Sequence, residues 1–258
     1  MGPWTAIVLA GQRPGENAFP AAHGVPAKAL IPVGGEPMLA RVVRALLAAP
    51  SVARIVILAQ DPASLLTGSL SSLGEEPRIT TARAGQGIST SIAAIAGTQA
   101  APFPVLVTTA DHALLEPPMV EAFLAAAGHG DAAFAMVERA VVERAYPETK
   151  RTWIKFSDGH YTGANLFAFR TANSLRGLKF WARVEKDRKK ALKLLSFFGP
   201  LLFLRAFTRT ISLGAAAAKA GRQLGLSIAA VKLPYANAAI DVDKPADLEL
   251  VEKILSAP

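Results

Sequence analysis

The alternation of short, wholly apolar runs with helix-period stretches constrains this chain most. Residues 4–10 (WTAIVLA) and 54–59 (RIVILA) are rich in β-branched and aliphatic side chains, and between them residues 37–47 place Met38, Leu39, Val42, Val43 and Leu46 at helical spacing. A strand that is apolar on both faces must be buried on both faces. A parallel sheet covered by its own crossover helices provides this, whereas an antiparallel sheet with one wet face does not. The same rhythm predicts strands over 78–82, 104–109 and 131–137 and helices over 89–97 and 117–127, a doubly wound α/β half. Beyond about residue 140 it changes, because 153–156 and 162–169 read as strands with no clean helix between them, which suits antiparallel additions to the sheet. Residues 172–224 form a mostly helical stretch broken at Gly199-Pro200, and then a strand over 227–233 and a helix over 245–255 resume the opening pattern. The expectation is one domain, 1–258, with a helical insertion at about 172–224.

Composition narrows the function classes. With 258 residues, 51% of them hydrophobic, the chain can bury a large core without staples, and the absence of cysteine excludes disulfides and thiolate zinc sites. A net charge of +8 suggests an anionic partner. The charge is concentrated, since residues 179–193 carry seven basic and two acidic side chains and adjoin the Leu- and Phe-rich run 194–207. Without any nucleic-acid signature, this pattern argues against DNA or RNA. A basic face beside an aromatic and aliphatic one can lie on an anionic membrane. Peripheral membrane contact through 179–207 is therefore one expectation, beside a solvated helix face with core helices, an acceptor-phosphate surface or a dimer surface. The uncharged run 194–204 is far shorter than the about 20 residues a span needs, and 1–10 lacks the basic leading region of a signal peptide. The expected compartment is the cytoplasm, with any lipid contact at the inner face of the membrane.

The first strand ends in the turn Leu9-Ala10-Gly11-Gln12-Arg13, at the carboxyl end of a strand, where open α/β sheets bind ligands. Backbone N–H groups and Arg13 there could hold phosphate oxygens, although the spacing is not that of a P-loop and Gln12 stands where a dinucleotide fingerprint has its second glycine. Lys28 follows on a Pro- and Gly-bounded approach to a helix and can serve a phosphate as a point charge, or stand as a solvated surface lysine.

Together these stretches resemble the nucleotidyltransferases of the molybdenum-cofactor guanylyltransferase-like and sugar-phosphate nucleotidyltransferase group. That group carries a Leu-Ala-Gly-Gly turn with a following Arg, a Pro-Lys-x-Leu segment and a Gly-x-Pro-(Leu/Met)-Leu helix start. Leu9-Ala10-Gly11 with Arg13, Lys28-Ala29-Leu30 and Gly35-Glu36-Pro37-Met38-Leu39 match it; the departures are Gln12, Ala27 and a longer loop containing His23. The resemblance implies a Rossmann-like GT-A-type nucleotidyltransferase fold, an α/β architecture whose mostly parallel sheet has helices on both faces. It continues through Gly85-Gln86-Gly87-Ile88-Ser89-Thr90-Ser91, similar to the loop that opens a helix and reads the base, which makes Gly85, Gly87, Ser89 and Ser91 nucleotide-binding candidates. An ordinary N-cap by Ser89 explains that stretch equally well.

The strand 105–109 leads to Asp111, which the resemblance implies holds Mg²⁺; a helix N-cap is the alternative, and the metal role is the favoured reading. Residues 239–248 resemble the group's closing Asp-Ile-Asp-Thr-Pro-Glu-Asp-Leu. There Asp243 suits a helix start ahead of Pro245, and Asp241, lacking that explanation, is the better second metal ligand. Thr162-Gly163-Ala164-Asn165 looks like the Gly-x-Asn strand that faces the acceptor, which places Asn165, with Asp243, on the acceptor side; a turn asparagine is the alternative.

The implied reaction is attack by an acceptor phosphate on the α-phosphorus of an NTP with loss of pyrophosphate, in which Arg13 and Lys28 neutralise the leaving group. The phosphorylated acceptor could be a sugar, a polyol, a lipid-linked phosphate or a cofactor. Two other classes compete. A GT-A glycosyltransferase using a nucleotide sugar would carry Asp-x-Asp on an internal strand end, and Asp111-His112-Ala113 lacks the second aspartate. A non-catalytic lipid-surface or protein-interaction module would rest on 179–207.

Overall fold

A computed structural model describes residues 3–12, 18–85, 87–185 and 208–256. Its strands are β1 (Trp4–Leu9), β2 (Pro32–Val33), β3 (Glu36–Pro37), β4 (Val52–Ala59), β5 (Ile79–Arg83), β6 (Val105–Thr109), β7 (Ala132–Glu138), β8 (Ile154–Phe156), β9 (Gly159–Phe169) and β10 (Ile228–Leu233). β2 and β3 form a separate antiparallel ribbon, and the others make one sheet in the order β10-β7-β9-β6-β1-β4-β5, with β8 hairpinned onto β9. β1 pairs in parallel with β4 and β6, β4 with β5, and β7 with β10. β9 runs antiparallel to both β6 and β7. The antiparallel addition expected after residue 140 is therefore wedged into the middle of the sheet.

Burial on both faces explains the parallel half. Ala6, Ile7 and Val8 of β1 are all wholly buried, and their alternation sends them to opposite layers. Ala6, Val8, Ile55 and Ile57 share one core with Leu39, Val42, Val43 and Leu46 of the helix Met38–Leu47 and with Met119, Val120 and Phe123 of the helix Pro117–Ala126. Ile7, Val56, Leu58, Val105 and Val107 share another with Ile92 of the helix Ile88–Ile95 and Leu178 of the helix Leu175–Glu185.

Departures from the sequence reading are local. The short helices Ala18–Ala22 and Arg139–Ala145 are not marked by the hydrophobic pattern, since five and seven residues cannot display a helical period. Of the expected insertion, Leu175–Glu185 and Leu213–Leu224 are helical. The first packs beside Ile88–Ile95, and the second lies along β10. Residues 186–207, which carry most of the expected membrane-facing segment, lie outside the described residues. Within the described residues no helix is long and apolar enough to cross a membrane.

Candidate active site

Lys28, Asp111, Asp243, Asp241 and Arg151 gather beyond the carboxyl ends of β1 and β6. Asp111 follows β6 by two residues, and its backbone oxygen accepts the N–H of Val242 at 3.0 Å, which ties the C-terminal segment to the sheet. Val242 is wholly buried. In an extended segment its neighbours at 241 and 243 face the opposite way, so one buried valine turns both aspartates outward. Lys28 begins a single 3-10 turn, Lys28–Leu30, and its Nζ donates to Asp111 Oδ2 at 2.6 Å and to Asp243 Oδ1 at 2.5 Å. Burial would lower the Lys28 pKa, but the charge of Asp111 and the hydrogen bonds to Asp111 and Asp243 outweigh it and hold the ammonium above its ordinary value. Lys28 is thus a partly buried ion-pair hub and not a solvated surface lysine.

Asp241 has a different pair of partners. Its Oδ1 accepts from Arg151 Nη1 at 2.5 Å and its Oδ2 from Asn165 Nδ2 at 3.3 Å. Asn165 can reach it because β9 carries two more residues than β7 between the Phe134–Phe167 and Met136–Gly163 pairs. Asn165 occupies that bulge at φ +43°, a left-handed conformation that asparagine tolerates and that re-aims a side chain within a strand. It is therefore a strand-bulge residue and not a turn asparagine. Burial pushes the Asp241 carboxyl above its ordinary value, Arg151 opposes this, and Asp243 and Asp111 add to it. Asp243 is not a simple helix cap, since its carboxylate is spent on Lys28 while its N–H donates to Asp247 Oδ2 at 3.2 Å.

This carboxylate set can accept a hard divalent cation. Asp111 Oδ1 is buried without a hydrogen-bond partner, an acceptor that a metal ion would satisfy. Among the described residues no group of three or more His, Cys, Asp or Glu could hold a metal by itself. Two carboxylates completed by substrate oxygens and water suit Mg²⁺, which dehydrates reluctantly.

The first turn is held by a residue that the sequence reading missed. Gln60, directly after β4, accepts the N–H of Gln12 on Oε1 at 3.0 Å and donates Nε2 to the Gln12 carbonyl at 3.1 Å. A Cβ on Gly11 would stand 2.9 Å from that Oε1, so close approach of Gln60 favours glycine here. Gln12 in turn accepts the N–H of Lys28 on Oε1 at 3.1 Å, coupling the turn to the lysine segment. The N–H of Ala10 bonds to Leu58 and the carbonyl of Leu9 accepts from Ala110, so of the expected donors both Ala10 and Gln12 are engaged within the fold. Arg13 lies outside the described residues.

At the loop after β5, Gly87 and not Ser89 is the N-cap of the helix Ile88–Ile95. Ser89 is buried inside the first turn, which corrects the simple capping reading. Ser91 Oγ accepts from the N–H of Gly85 at 2.9 Å and donates to the carbonyl of Gly87 at 2.6 Å, shaping the loop from within. Arg151, the partner of Asp241, is the other residue of the site that the sequence reading missed. It stands in an irregular stretch before β8 that carries no periodic signal, whereas Gln60 was accessible from its position at a strand's carboxyl end.

Comparison with known proteins places the chain in a family. The family model of the MobA-like NTP transferase domain matches residues 6–195. A hypothetical transferase from Thermus thermophilus is similar over 96% of this chain and 100% of its own, with 29% identity and a TM-score of 0.75. The 4-diphosphocytidyl-2C-methyl-D-erythritol synthase of Anaerococcus prevotii shares the fold at a TM-score of 0.61 and 11% identity, over 99% of each chain. A CMP:2-keto-3-deoxy-manno-octonic acid synthetase in complex with CTP does so at 0.56 and 14%, over 98% of each. No curated protein matches the chain by sequence. With three-quarters of its length matched by the family model, this chain belongs to the MobA-like NTP transferase domain family and is a nucleotidyltransferase.

Proposed function

We propose that this enzyme moves a nucleoside monophosphate from an NTP onto a phosphorylated acceptor in a Mg²⁺-dependent reaction that releases pyrophosphate. The observation that carries the reading is Lys28 Nζ held between Asp111 and Asp243 with Asp241 alongside, a cation and carboxylates gathered at the carboxyl ends of the parallel strands. In this reading an oxygen of the acceptor phosphate attacks the α-phosphorus, the bond from that phosphorus to the bridging oxygen of the β-phosphate breaks, and pyrophosphate leaves with the electron pair. The nucleophile is already anionic, so no side chain need remove a proton, and the protein's work is alignment and charge neutralisation.

Asp111 and Asp241 hold Mg²⁺, which when bound neutralises the reacting phosphates. Lys28 and Arg13 receive the charge that accumulates on the departing pyrophosphate. Leu9, Ala10, Gly11 and Gln12 form the wall against which the triphosphate lies. Gly85, Gly87, Ser89 and Ser91 form the base loop, and Asn165 and Asp243 face the acceptor. The whole chain works as one domain, and the acceptor is a small-molecule or lipid-linked phosphate.

Thermal unfolding with each of four NTPs tests the first half of the reaction. One NTP with Mg²⁺ should raise the midpoint, since ligand at 100 times its dissociation constant adds about 2.7 kcal/mol. No NTP shifting the midpoint at millimolar concentration would contradict the reading.

A further inference from the structure

Arg151 is the most constrained cation in the site that the proposed chemistry leaves without a task. Its side chain is only 11% exposed, yet of its three nitrogens only Nη1 makes a hydrogen bond, the one to Asp241; Nε and Nη2 are buried with none. Nη2 lies 3.6 Å from Asp247 Oδ1, a distance that supplies attraction but not a hydrogen bond. Leaving donors of a guanidinium buried and unpaired is costly, and a group kept in that state is poised for an acceptor that arrives later. Its present partner, Asp241, is also the carboxylate that a divalent cation would take.

We propose that Arg151 is a guanidinium that exchanges partners: it holds Asp241 in the metal-free protein and, once a divalent cation takes that carboxylate, presents its donors to the acceptor's phosphate. The inference rests on the proposed use of Asp241 as a metal ligand. Attraction to Asp247 keeps Arg151 in place through the exchange, so the change is one of hydrogen-bond partner and not of position. The ligand is assigned to the acceptor by placement. Arg151 and the β9 residue Asn165 flank the same carboxylate, while β1 and β5, which lead into the turn and the base loop, are separated from β9 by β6. A planar guanidinium offering two donors matches two phosphate oxygens, which a lysine ammonium cannot reproduce.

The test uses the full-length protein with Arg151→Gln and Arg151→Lys, two probes and no turnover. Mn²⁺ binding is read by electron paramagnetic resonance without nucleotide, and inorganic phosphate binding by calorimetry with and without saturating Mn²⁺. Mn²⁺ should bind Arg151→Gln several-fold more tightly than wild type, because a competing cation has left Asp241. Phosphate should bind wild type only when Mn²⁺ is present. It should bind Arg151→Gln at least about tenfold more weakly, the scale of one lost charge-assisted hydrogen bond, with Arg151→Lys between the two. Phosphate binding that is equal in wild type and Arg151→Gln, indifferent to Mn²⁺ or undetectable in wild type overturns the inference. Thermal stabilisation by NTP with Mn²⁺, which does not involve Arg151, is measured in parallel. Loss of that signal in wild type would count against the transferase reading itself, whereas its retention with a failed phosphate result counts against Arg151 alone.

Discussion

Removing the ammonium from the hub, by Lys28→Met, should injure the free protein and the reaction for the same electrostatic reason. Methionine keeps the length and apolar stem of the side chain but leaves Asp111 without its cation, close enough to Asp241 and Asp243 for both Asp111 and Asp243 to raise the Asp241 pKa. Breaking a fully buried ion pair by removing one partner costs about 3–5 kcal/mol. Here Lys28 is 22% exposed and Asp111 19%, which scales the loss to about 2–3 kcal/mol; Asp243, at 64% exposure, adds little. For a chain of this size that is a fall in the unfolding midpoint of roughly 4–10 °C at neutral pH without metal.

Millimolar Mg²⁺ should return part of the loss to the variant, because a divalent cation compensates the bared carboxylates. Adding Asp111→Asn should return most of it, because the second change removes the stranded charge. Pyrophosphate release should fall by about 10²–10³-fold, the scale of losing one preorganised stabiliser of developing charge. The assay is a thermal-melt double-mutant cycle with and without Mg²⁺, run beside a pyrophosphate-release assay. A Lys28→Met protein that melts with wild type, or an Asp111→Asn change that adds its full cost on top, would refute the reasoning.

Three further outcomes follow from other parts of the site. Gly11→Ala should force the Gln60 amide away from the turn and raise the KM for NTP several-fold while leaving the melting midpoint within a few degrees, measured by steady-state kinetics. Asp241 has a folded-state pKa above the ordinary carboxylate value of 3.8, so ionising it disfavours the fold; that contribution is absent below about pH 3.8 and complete above the raised pKa. Asp241→Asn should therefore remove this pH dependence and the Mg²⁺-dependent shift in the melting midpoint, both read by thermal melts across that range with and without Mg²⁺. His112 is fully buried, with neither ring nitrogen hydrogen-bonded, and burial depresses its pKa from 6.5 to about 4 despite the neighbouring Asp111. Its contribution is whole above pH 6.5 and is lost as the pH falls towards 4, at most about 3 kcal/mol. His112→Leu should flatten denaturant-measured stability across that window.

What could be read from the sequence follows the range of the interactions involved. WTAIVLA and RIVILA announce a two-faced buried sheet because each residue's burial is a local property of its strand. The wedging of β9 between β6 and β7 is not local, since strand order depends on which distant edges meet, and no pattern within 162–169 records it. Lys28, Asp111 and Asp241 were found through motifs, but their mutual arrangement was not, because Val242 docks on Asp111 across more than a hundred residues. The sequence around Asp243 suits a helix start or an acceptor contact; only the fold shows its carboxylate on Lys28. Arg151 had no signal at all in an irregular stretch, and its role became visible only through its partner.

The most direct test of the central claim is transfer itself. Purified enzyme is incubated with Mg²⁺, each α-³²P-labelled NTP and a panel of sugar, polyol, cofactor and lipid-linked phosphates, and label is followed into product while pyrophosphate is counted. One NTP and one acceptor class should give label and pyrophosphate in equal amounts, abolished by chelating Mg²⁺ and by an Asp111→Asn substitution that leaves the protein folded. Transfer that persists undiminished in Asp111→Asn, or pyrophosphate released without any labelled acceptor, would contradict the account.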